Sequence, residues 1–226
     1  MVKYHPDSRF LTDFSAGNLP DTQALCVSTH LHFCQSCRQK VSELTALGEL
    51  LFQQQASADI EDNAFNELME KIDSLEHVRS DESIESITTV NHETSPEFMP
   101  QLLHKLSNGD LENLVWKSIG KKLRYSRLNS NSSEQETALF HIRAGGSIPH
   151  HRHKGDEITV ILKGSFSDLD DQYHVGDFIV RTKGEKHAPV ASQDEDCLCL
   201  STLDAPIQMS NWFLRLLMPF INWRLA

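Results

Sequence analysis

The hydrophobic period of the sequence changes once along the chain, and this change most restricts the fold. In the first 75 residues, apolar residues recur at helical spacing, as at Val41, Leu44, Leu47 and Leu51. After about residue 98, apolar residues occur in short β-rich runs such as EITVILKGSF, and turn sequences separate these runs. The sequence therefore predicts a multi-domain α + β protein, in which a small helical bundle precedes an antiparallel β-barrel or jelly roll.

The segment between the helical part and the β-rich part of the chain predicts the domain boundaries. Residues 79–97 are rich in Ser, Thr and acidic residues, a composition typical of a linker. We therefore predict a helical domain over 1–78, a linker over 79–97 and a β domain over 98–226. The apolar segment 207–226 is interrupted by polar residues and is short for a membrane span. We expect it to pack on the β domain or on a partner, with an interfacial anchor as the alternative.

Negative charge is concentrated in the first part of the chain. The net charge is −11, and residues 1–97 hold 6 Lys/Arg against 17 Asp/Glu, whereas residues 98–226 hold 15 of each. Such a charge repels nucleic acid and attracts a basic surface. A protein partner that itself binds DNA or RNA is therefore a better candidate than nucleic acid. An acidic face that serves only solubility is the alternative explanation.

The start of the chain and its five cysteines indicate a compartment. Residues 1–20 include Asp7 and Asp13 and contain no continuous apolar stretch, so we expect no signal peptide and a cytoplasmic location. In a reducing compartment, an odd number of cysteines is more typical of free thiols or metal ligands than of a disulfide framework.

The stretch THLHFCQSC (29–37) predicts a metal site. His30, Cys34 and Cys37 have the spacing H-x3-C-x2-C, and two thiolates with an imidazole favour zinc. On one continuous helix, His30 and Cys37 would lie about 10 Å apart along the axis. Ligand atoms around one Zn²⁺ lie only about 4 Å apart, so a shared ion requires a break between Phe33 and Cys37. A redox dithiol is the alternative, but no predicted strand precedes Cys34.

The three ligands leave a fourth position on the ion. His5 precedes the first helix, and a ligand there would tie this helix to the next two. Cys26 and His32 compete with His5, but Cys26 lies a further helical turn away and His32 points to the opposite side of its helix. We therefore prefer His5. An oxidant that joins Cys34 to Cys37 would remove both thiolates and release the ion.

The stretch GGSIPHHRHKGDEITVILKG (145–164) predicts a second metal site. His151, His153 and Glu157 occupy odd positions, so they face the same way on an extended chain. His187 follows the next predicted strand. Three imidazoles and a carboxylate that converge inside a barrel bind Zn²⁺, Mn²⁺, Fe²⁺ or Ni²⁺, and the spacing alone does not select the ion.

The same stretch resembles the first cupin motif. The residues that match this motif are Gly145, His151, His153, Glu157 and Gly164. The second cupin motif is matched at Gly176, Gly184 and His187, whereas Thr182 and Ala191 stand where the family usually has proline and asparagine. These departures concern the conformation of the second loop more than its metal ligand.

A helical module with an HxxxCxxC motif followed by one cupin resembles the ChrR family of zinc-binding anti-sigma factors. The resemblance covers nearly the whole chain, and it includes SAGNL (15–19) and DEDCLCLSTLDAPI (194–207). It implies that the helical module sequesters an extracytoplasmic-function sigma factor in a one-to-one complex, with no direct contact to nucleic acid or membrane. It also implies that the cupin governs the response to singlet oxygen or an organic hydroperoxide. The zinc ligands implied by the resemblance are His5, His30, Cys34 and Cys37.

Two further expectations concern the cupin. Cys197 and Cys199 lie two residues apart on one predicted strand and are candidate redox residues, although filling of the core is the simpler explanation. The anti-sigma interpretation predicts no enzymatic activity. The alternative is a metal-dependent cupin oxygenase or isomerase with an appended zinc-binding regulatory domain.

Overall fold

The computed structural model describes residues 2–56, 63–74, 100, 103, 111–128, 136–205 and 208–209. These residues belong to two compact units, one of Met1–Leu47 with Ser95–Ala226 and one of Gly48–Thr94. The predicted linker over 79–97 and all of the segment 207–226 except residues 208 and 209 lie outside the described residues. The predicted domain boundaries stay a prediction.

Four α-helices occupy the described residues of the N-terminal part, as the helical period predicts. They are α1 (Ser8–Ser15), α2 (Asp21–Phe33), α3 (Gln35–Gln53) and α4 (Ala64–Ser74). Asp7 caps α1, because its carboxylate accepts a hydrogen bond from the backbone N–H of Phe10 at 2.9 Å. Gly17 follows α1 with a φ of 70°, a left-handed conformation that glycine adopts without steric cost. Among the described residues, no helix has both the length and the apolarity needed to cross a membrane.

A break in the helical backbone separates α2 from α3. Helix α2 ends at Phe33, and Cys34 has an extended conformation (φ −113°, ψ 102°) before α3 begins at Gln35. The Arg38 guanidinium donates hydrogen bonds to two carbonyls in the last turn of α2. A cation at this position stabilises the helix, because the C-terminal end of a helix carries a partial negative charge. The break predicted between Phe33 and Cys37 is therefore present.

The described residues of the C-terminal part form twelve β-strands, preceded by a 3₁₀ turn at Leu111–Asn113. The strands are β1 (Lys117–Ile119), β2 (Leu123–Leu128), β3 (Glu136–Ile142), β4 (His151–Arg152), β5 (Glu157–Lys163), β6 (Ser165–Ser167), β7 (Gln172–His174), β8 (Phe178–Arg181), β9 (Lys186–His187), β10 (Val190–Ala191), β11 (Cys197–Leu203) and β12 (Gln208–Met209).

These strands form three sheets in which every pair is antiparallel. The largest sheet has the order β1-β2-β3-β11-β5-β8, and the smaller sheets have the orders β10-β6-β7 and β12-β4-β9. The predicted combination of N-terminal helices with a C-terminal antiparallel β fold is therefore confirmed.

Alternate residues of the six-stranded sheet face two different parts of the core. On the inner face, Phe140, Ile161 and Cys199 pack in one buried cluster with Phe166 and Tyr173 of a smaller sheet. This alternation follows from the two-residue period of a strand. The inner cluster surrounds the region in which the predicted cupin ligands lie.

The outer face of the same sheet packs against the first helices. Leu25 and Val27 of α2 lie in one buried cluster with Leu139, Val160 and Leu200 of the sheet. Burial of each such side chain contributes about 1.5–3 kcal/mol to stability. Helices α1 and α2 and the start of α3 therefore belong to the same compact unit as the sheets.

Candidate metal centres

The four residues predicted for the N-terminal site lie together in the structure. One ligand atom from each of His5, His30, Cys34 and Cys37 lies within 4.8 Å of the others. His5 Nδ1 is 3.4 Å from Cys34 Sγ and 3.5 Å from Cys37 Sγ. The competing candidates Cys26 and His32 do not belong to this group. We call these four residues the helical metal group.

Two groups of the β domain, a side chain and a backbone carbonyl, hold the segment before His5 and the ring of His30. The Asp177 carboxylate accepts hydrogen bonds from the backbone N–H groups of Lys3 and Tyr4, at 2.7 and 3.0 Å, and His5 follows directly. His30 Nδ1 lies 2.6 Å from the carbonyl oxygen of Gly176. Because a carbonyl only accepts, Nδ1 donates, and Nε2 remains available for a metal ion.

His30 and Cys34 of the helical metal group are poised to bind a cation, whereas the Cys37 thiol loses its proton only when a cation binds it. Burial lowers the pKa of His30 to about 4, so its imidazole is neutral at pH 7. Among the described residues, His30 Nε2 has no hydrogen-bond partner although it is buried, and such an atom is rare unless it binds an ion or water. Burial and the neighbouring Cys34 thiol raise the pKa of Cys37 to about 11. Burial also opposes ionisation of Cys34, but hydrogen bonds from Ser36 and Cys37 outweigh it and lower its pKa.

The four residues predicted for the cupin site also lie together. One ligand atom from each of His151, His153, Glu157 and His187 lies within 4.8 Å of the others. Strands β4 and β9 place His151 opposite His187, and their Nε2 atoms are 2.9 Å apart. Glu157 Oε2 is 3.4 Å from His153 Nε2 and 3.5 Å from His187 Nε2. We call these residues the cupin metal group.

The protonation states of the cupin metal group suit a divalent cation. Burial lowers the pKa of His151 to about 4 and lowers that of His153 as well. Burial alone would raise the pKa of Glu157. The hydrogen bond with His187, together with the electrostatic attraction of the three histidines, outweighs burial and lowers this pKa to about 2. Both ring nitrogens of His153 are buried and lack hydrogen-bond partners among the described residues. Neutral imidazoles and an ionised carboxylate are the forms that bind metal ions.

Neighbouring groups orient the ligands of the cupin metal group. His151 Nδ1 lies 3.0 Å from the carbonyl oxygen of Pro149, and Ser201 Oγ donates a hydrogen bond to Glu157 Oε1 at 2.7 Å. His187 Nδ1 lies 3.3 Å from the buried carboxylate of Asp168. Each contact turns the Nε2 atom or the free carboxylate oxygen toward the centre of the group.

A small cavity of about 40 Å³ adjoins the cupin metal group. Its wall includes His151, Glu157 and His187, and most of the remaining wall is apolar, as at Phe140 and Leu203. A cavity of this volume holds only water-sized molecules. A small oxidant therefore fits beside the ligands, whereas an organic substrate requires the walls to move.

The two cysteines of β11 lie in the inner core. Both are buried, and Cys199 borders the cavity of the cupin metal group. The hydrogen bond with Cys197 and burial raise the pKa of Cys199 well above its usual value. Such a thiol is protonated at pH 7 and reacts slowly unless a nearby cation stabilises its thiolate.

Comparison with known proteins shows what the chain is similar to. Residues 107–205 match the family model of the ChrR cupin-like domain. This match follows the N-terminal helices that carry the helical metal group, so the resemblance to ChrR found in the sequence is confirmed.

Two matches extend over nearly the whole chain, one in sequence and one in structure. The chain is 28% identical to the anti-sigma-E factor ChrR of Cereibacter sphaeroides over 221 residues, which cover 98% of this chain and 99% of that protein. It also matches a chain in the crystal structure of Rhodobacter sphaeroides SigE in complex with the anti-sigma ChrR. That match has a TM-score of 0.71 and 27% identity, and it covers 90% of this chain and 100% of that chain.

Proposed function

We propose that this chain is an anti-sigma factor that sequesters an RpoE-like extracytoplasmic-function sigma factor in a one-to-one complex in the cytoplasm. An oxidative signal, singlet oxygen or an organic hydroperoxide, releases the sigma factor and so ends negative regulation of transcription. The likeness to ChrR over nearly the whole chain supports this function. The observation that carries it is the exposure of apolar side chains on α3 and α4.

Helices α3 and α4 each present apolar side chains to solvent. These side chains are Leu47, Leu50, Leu51, Phe52, Phe65, Leu68, Met69 and Ile72, each between 41% and 81% exposed. In α4 they recur at i, i+3, i+4 and i+7, so they share one face of the helix, and no residue of α4 is buried. Contiguous apolar surface of this kind marks a site of protein interaction.

The charge of the N-terminal part fits a sigma factor as the partner. Residues 1–97 carry the whole net charge of −11. A sigma factor binds DNA and therefore presents basic surfaces, and complementary charge accelerates association and selects the partner. Once the complex forms, the pool of free sigma factor falls by mass action.

Zinc is the ion that we propose for the helical metal group. Two thiolates and two imidazoles are a closed, four-ligand set typical of structural zinc. When bound, zinc would connect the segment around His5 with the end of α2 and the start of α3. Loss of Cys34 and Cys37 to a disulfide would remove half of the ligands and release the ion.

The cupin metal group would hold a second ion, which we propose to be Zn²⁺, Mn²⁺, Fe²⁺ or Ni²⁺. Three imidazoles and one carboxylate suit each of these ions. This ion would supply a Lewis-acidic centre beside the cavity. The chain's own residues hold the ligands in place, and the adjoining cavity admits singlet oxygen, so this group is where we place the first contact with that oxidant.

A further oxidant target that we propose is Cys199, and alanine substitution tests it. A metal ion beside the cavity lowers the pKa of a nearby thiol and thereby increases its reactivity. We expect Cys199→Ala to slow the release of the sigma factor by singlet oxygen by about tenfold. Cys197→Ala, which alters the same strand away from the cavity, is the matched control. Unchanged release in Cys199→Ala would assign the Cys199 thiol to filling of the core.

A metal-dependent cupin oxygenase or isomerase with an appended zinc-binding regulatory domain is the second candidate. The ligand set of the cupin metal group also serves metalloenzymes, which favours this function. The cavity of about 40 Å³ disfavours it, because an organic substrate exceeds that volume. We therefore propose no catalytic residue.

Purification of the chain from its native cytoplasm tests the proposed function. We expect a complex with one sigma factor per chain and two metal ions per chain, measured by mass spectrometry and elemental analysis. A chain that is recovered alone, and that turns over a peroxide or a small organic substrate, would instead support the enzyme.

A further inference from the structure

One segment of the β domain contacts ligand residues of both metal groups. This segment, residues 168–178, contains the turn between β6 and β7, strand β7 and the turn before β8. We call it the bridging segment. It lies within the same compact unit as both metal groups.

The first end of the bridging segment supports the cupin metal group. The side chain of Asp168 is fully buried, and its Oδ2 lies 3.3 Å from His187 Nδ1 and 2.6 Å from Arg181 Nη2. A carboxylate behind a ligand histidine fixes the tautomer and the ring orientation. Asp168 is therefore a positioning residue for His187.

The other end of the bridging segment supports the helical metal group. The carbonyl of Gly176 accepts a hydrogen bond from the His30 ring. The carboxylate of Asp177 accepts hydrogen bonds from the two backbone N–H groups that precede His5. Gly176 has a φ of 87°, and a Cβ atom there would lie 2.7 Å from Phe33 Cβ. Only glycine allows this close approach to the end of α2.

The middle of the bridging segment joins the two ends through Asp171. Its carboxylate accepts hydrogen bonds from the Tyr4 hydroxyl and the Lys3 ammonium. Its backbone N–H donates to Asp168 Oδ1 at 3.3 Å, and its carbonyl accepts from the N–H of Asp168 at 3.0 Å. A continuous path of hydrogen bonds thus runs from His187 through Asp168 and Asp171 to Tyr4, the neighbour of His5.

We propose that the bridging segment couples the two metal groups, so that occupancy of the cupin metal group strengthens metal binding by the helical metal group. An ion held by the cupin metal group would restrain His187 and thereby Asp168, which holds the turn that presents Asp171 to Tyr4. Coupling between two binding sites is reciprocal and changes each affinity by the same factor. Its consequence for release of the sigma factor rests on the proposed function.

The absorption of bound Co²⁺ measures metal binding by the helical metal group separately from metal binding by the cupin metal group. Thiolate-to-cobalt charge-transfer absorption arises only where sulfur binds the ion, and the cupin metal group contains no sulfur. The full chain is loaded with Co²⁺, and the loss of this absorption to an excess of chelator gives the release rate. The variant His153→Ala empties the cupin metal group without altering the bridging segment, and His151→Ala is a second emptied variant. Elemental analysis counts one ion or two per chain.

We expect release of sulfur-bound cobalt to be at least about fivefold faster when the cupin metal group is empty. The same comparison is then made in the variant Tyr4→Phe. This variant lacks the hydroxyl that contacts Asp171 but keeps the ring, whose centroid lies 5.0 Å from that of Tyr173. In Tyr4→Phe we expect the ratio of the two rates to fall close to one. Asp171→Asn is a second variant of the same contact. The control is Leu169→Ala, which alters an apolar side chain of the same turn that is 89% exposed, and it should keep the wild-type ratio.

Either of two results would overturn the coupling. The first is equal release rates from the loaded and emptied wild-type chain, and the second is an unchanged ratio in both Tyr4→Phe and Asp171→Asn. No sigma factor takes part in this experiment. The coupling can therefore fail while capture of a sigma factor succeeds, and the two proposals are tested separately.

Discussion

Replacement of Cys34 and Cys37 by serine should remove one of two metal ions from the chain and lower its affinity for the sigma factor at least about a hundredfold. Serine cannot supply the two thiolates whose sulfur atoms lie within 3.5 Å of His5 Nδ1. Without the ion, three chain segments lose their common attachment, and the binding surface of the helices is no longer held in one arrangement. Elemental analysis and titration calorimetry with the purified sigma factor measure the two effects.

A third buried cysteine provides the control for this substitution. Cys26 lies in α2, is fully buried and stands outside the helical metal group. Cys26→Ala should therefore keep both metal ions and bind the sigma factor like the wild-type chain. Retained inhibition of transcription in the double serine variant would show that the ion does not shape the binding surface.

Truncation of the exposed apolar side chains of α4 should have the second largest effect. The triple variant Phe65→Ala, Leu68→Ala and Ile72→Ala should weaken capture of the sigma factor at least about a hundredfold, because central apolar anchors contribute most of the affinity of an interface. The folded chain should keep its thermal stability, because these side chains are between 44% and 70% exposed. Calorimetric titration and thermal unfolding measure the two quantities.

Another face of α4 supplies the matched control. Asn66 is exposed and lies about 100° around the helix from Phe65. Asn66→Ala should bind the sigma factor with the affinity of the wild-type chain. Equal affinities of the triple variant and the control would remove α4 from the interface.

The sequence alone predicts the part of each ligand set that lies within a short separation along the chain, whereas His5 and His187 follow from the order of the elements and from the cupin motif. The distance between His30 and Cys37 on a helix exceeds what one ion allows, and this mismatch predicts the break that the structure has at Cys34. The odd positions of His151 and His153 likewise place them on one side of the chain. That these groups bind metal ions stays a proposal.

Residues that support the ligands could not be predicted from the sequence. Gly176 lies 146 residues from His30, and Asp177 lies 174 residues from Lys3. No period or motif relates positions so far apart, because their contact depends on how the helices pack on the sheet. Asp168 falls in a polar turn whose composition indicates only a turn.

Two apolar runs in the sequence indicate that a further element, here α2, packs on the six-stranded sheet. Strand β11, CLCLSTL, is buried at every residue, and β5 contains the run ITVIL. A strand that is apolar on both faces must be covered on both faces. The inner face is covered by the smaller sheets, so these two runs indicate that the outer face needs the helices.

The junction between α2 and α3 consists of one residue, Cys34, which is also a proposed ligand. The relative direction of the two helices therefore depends chiefly on the φ and ψ angles of this residue. A bond from its sulfur to an ion restrains both angles. The residue that joins the two helices is thus also a proposed ligand, so an ion bound there would help to fix the direction in which the nineteen-residue α3 leaves α2.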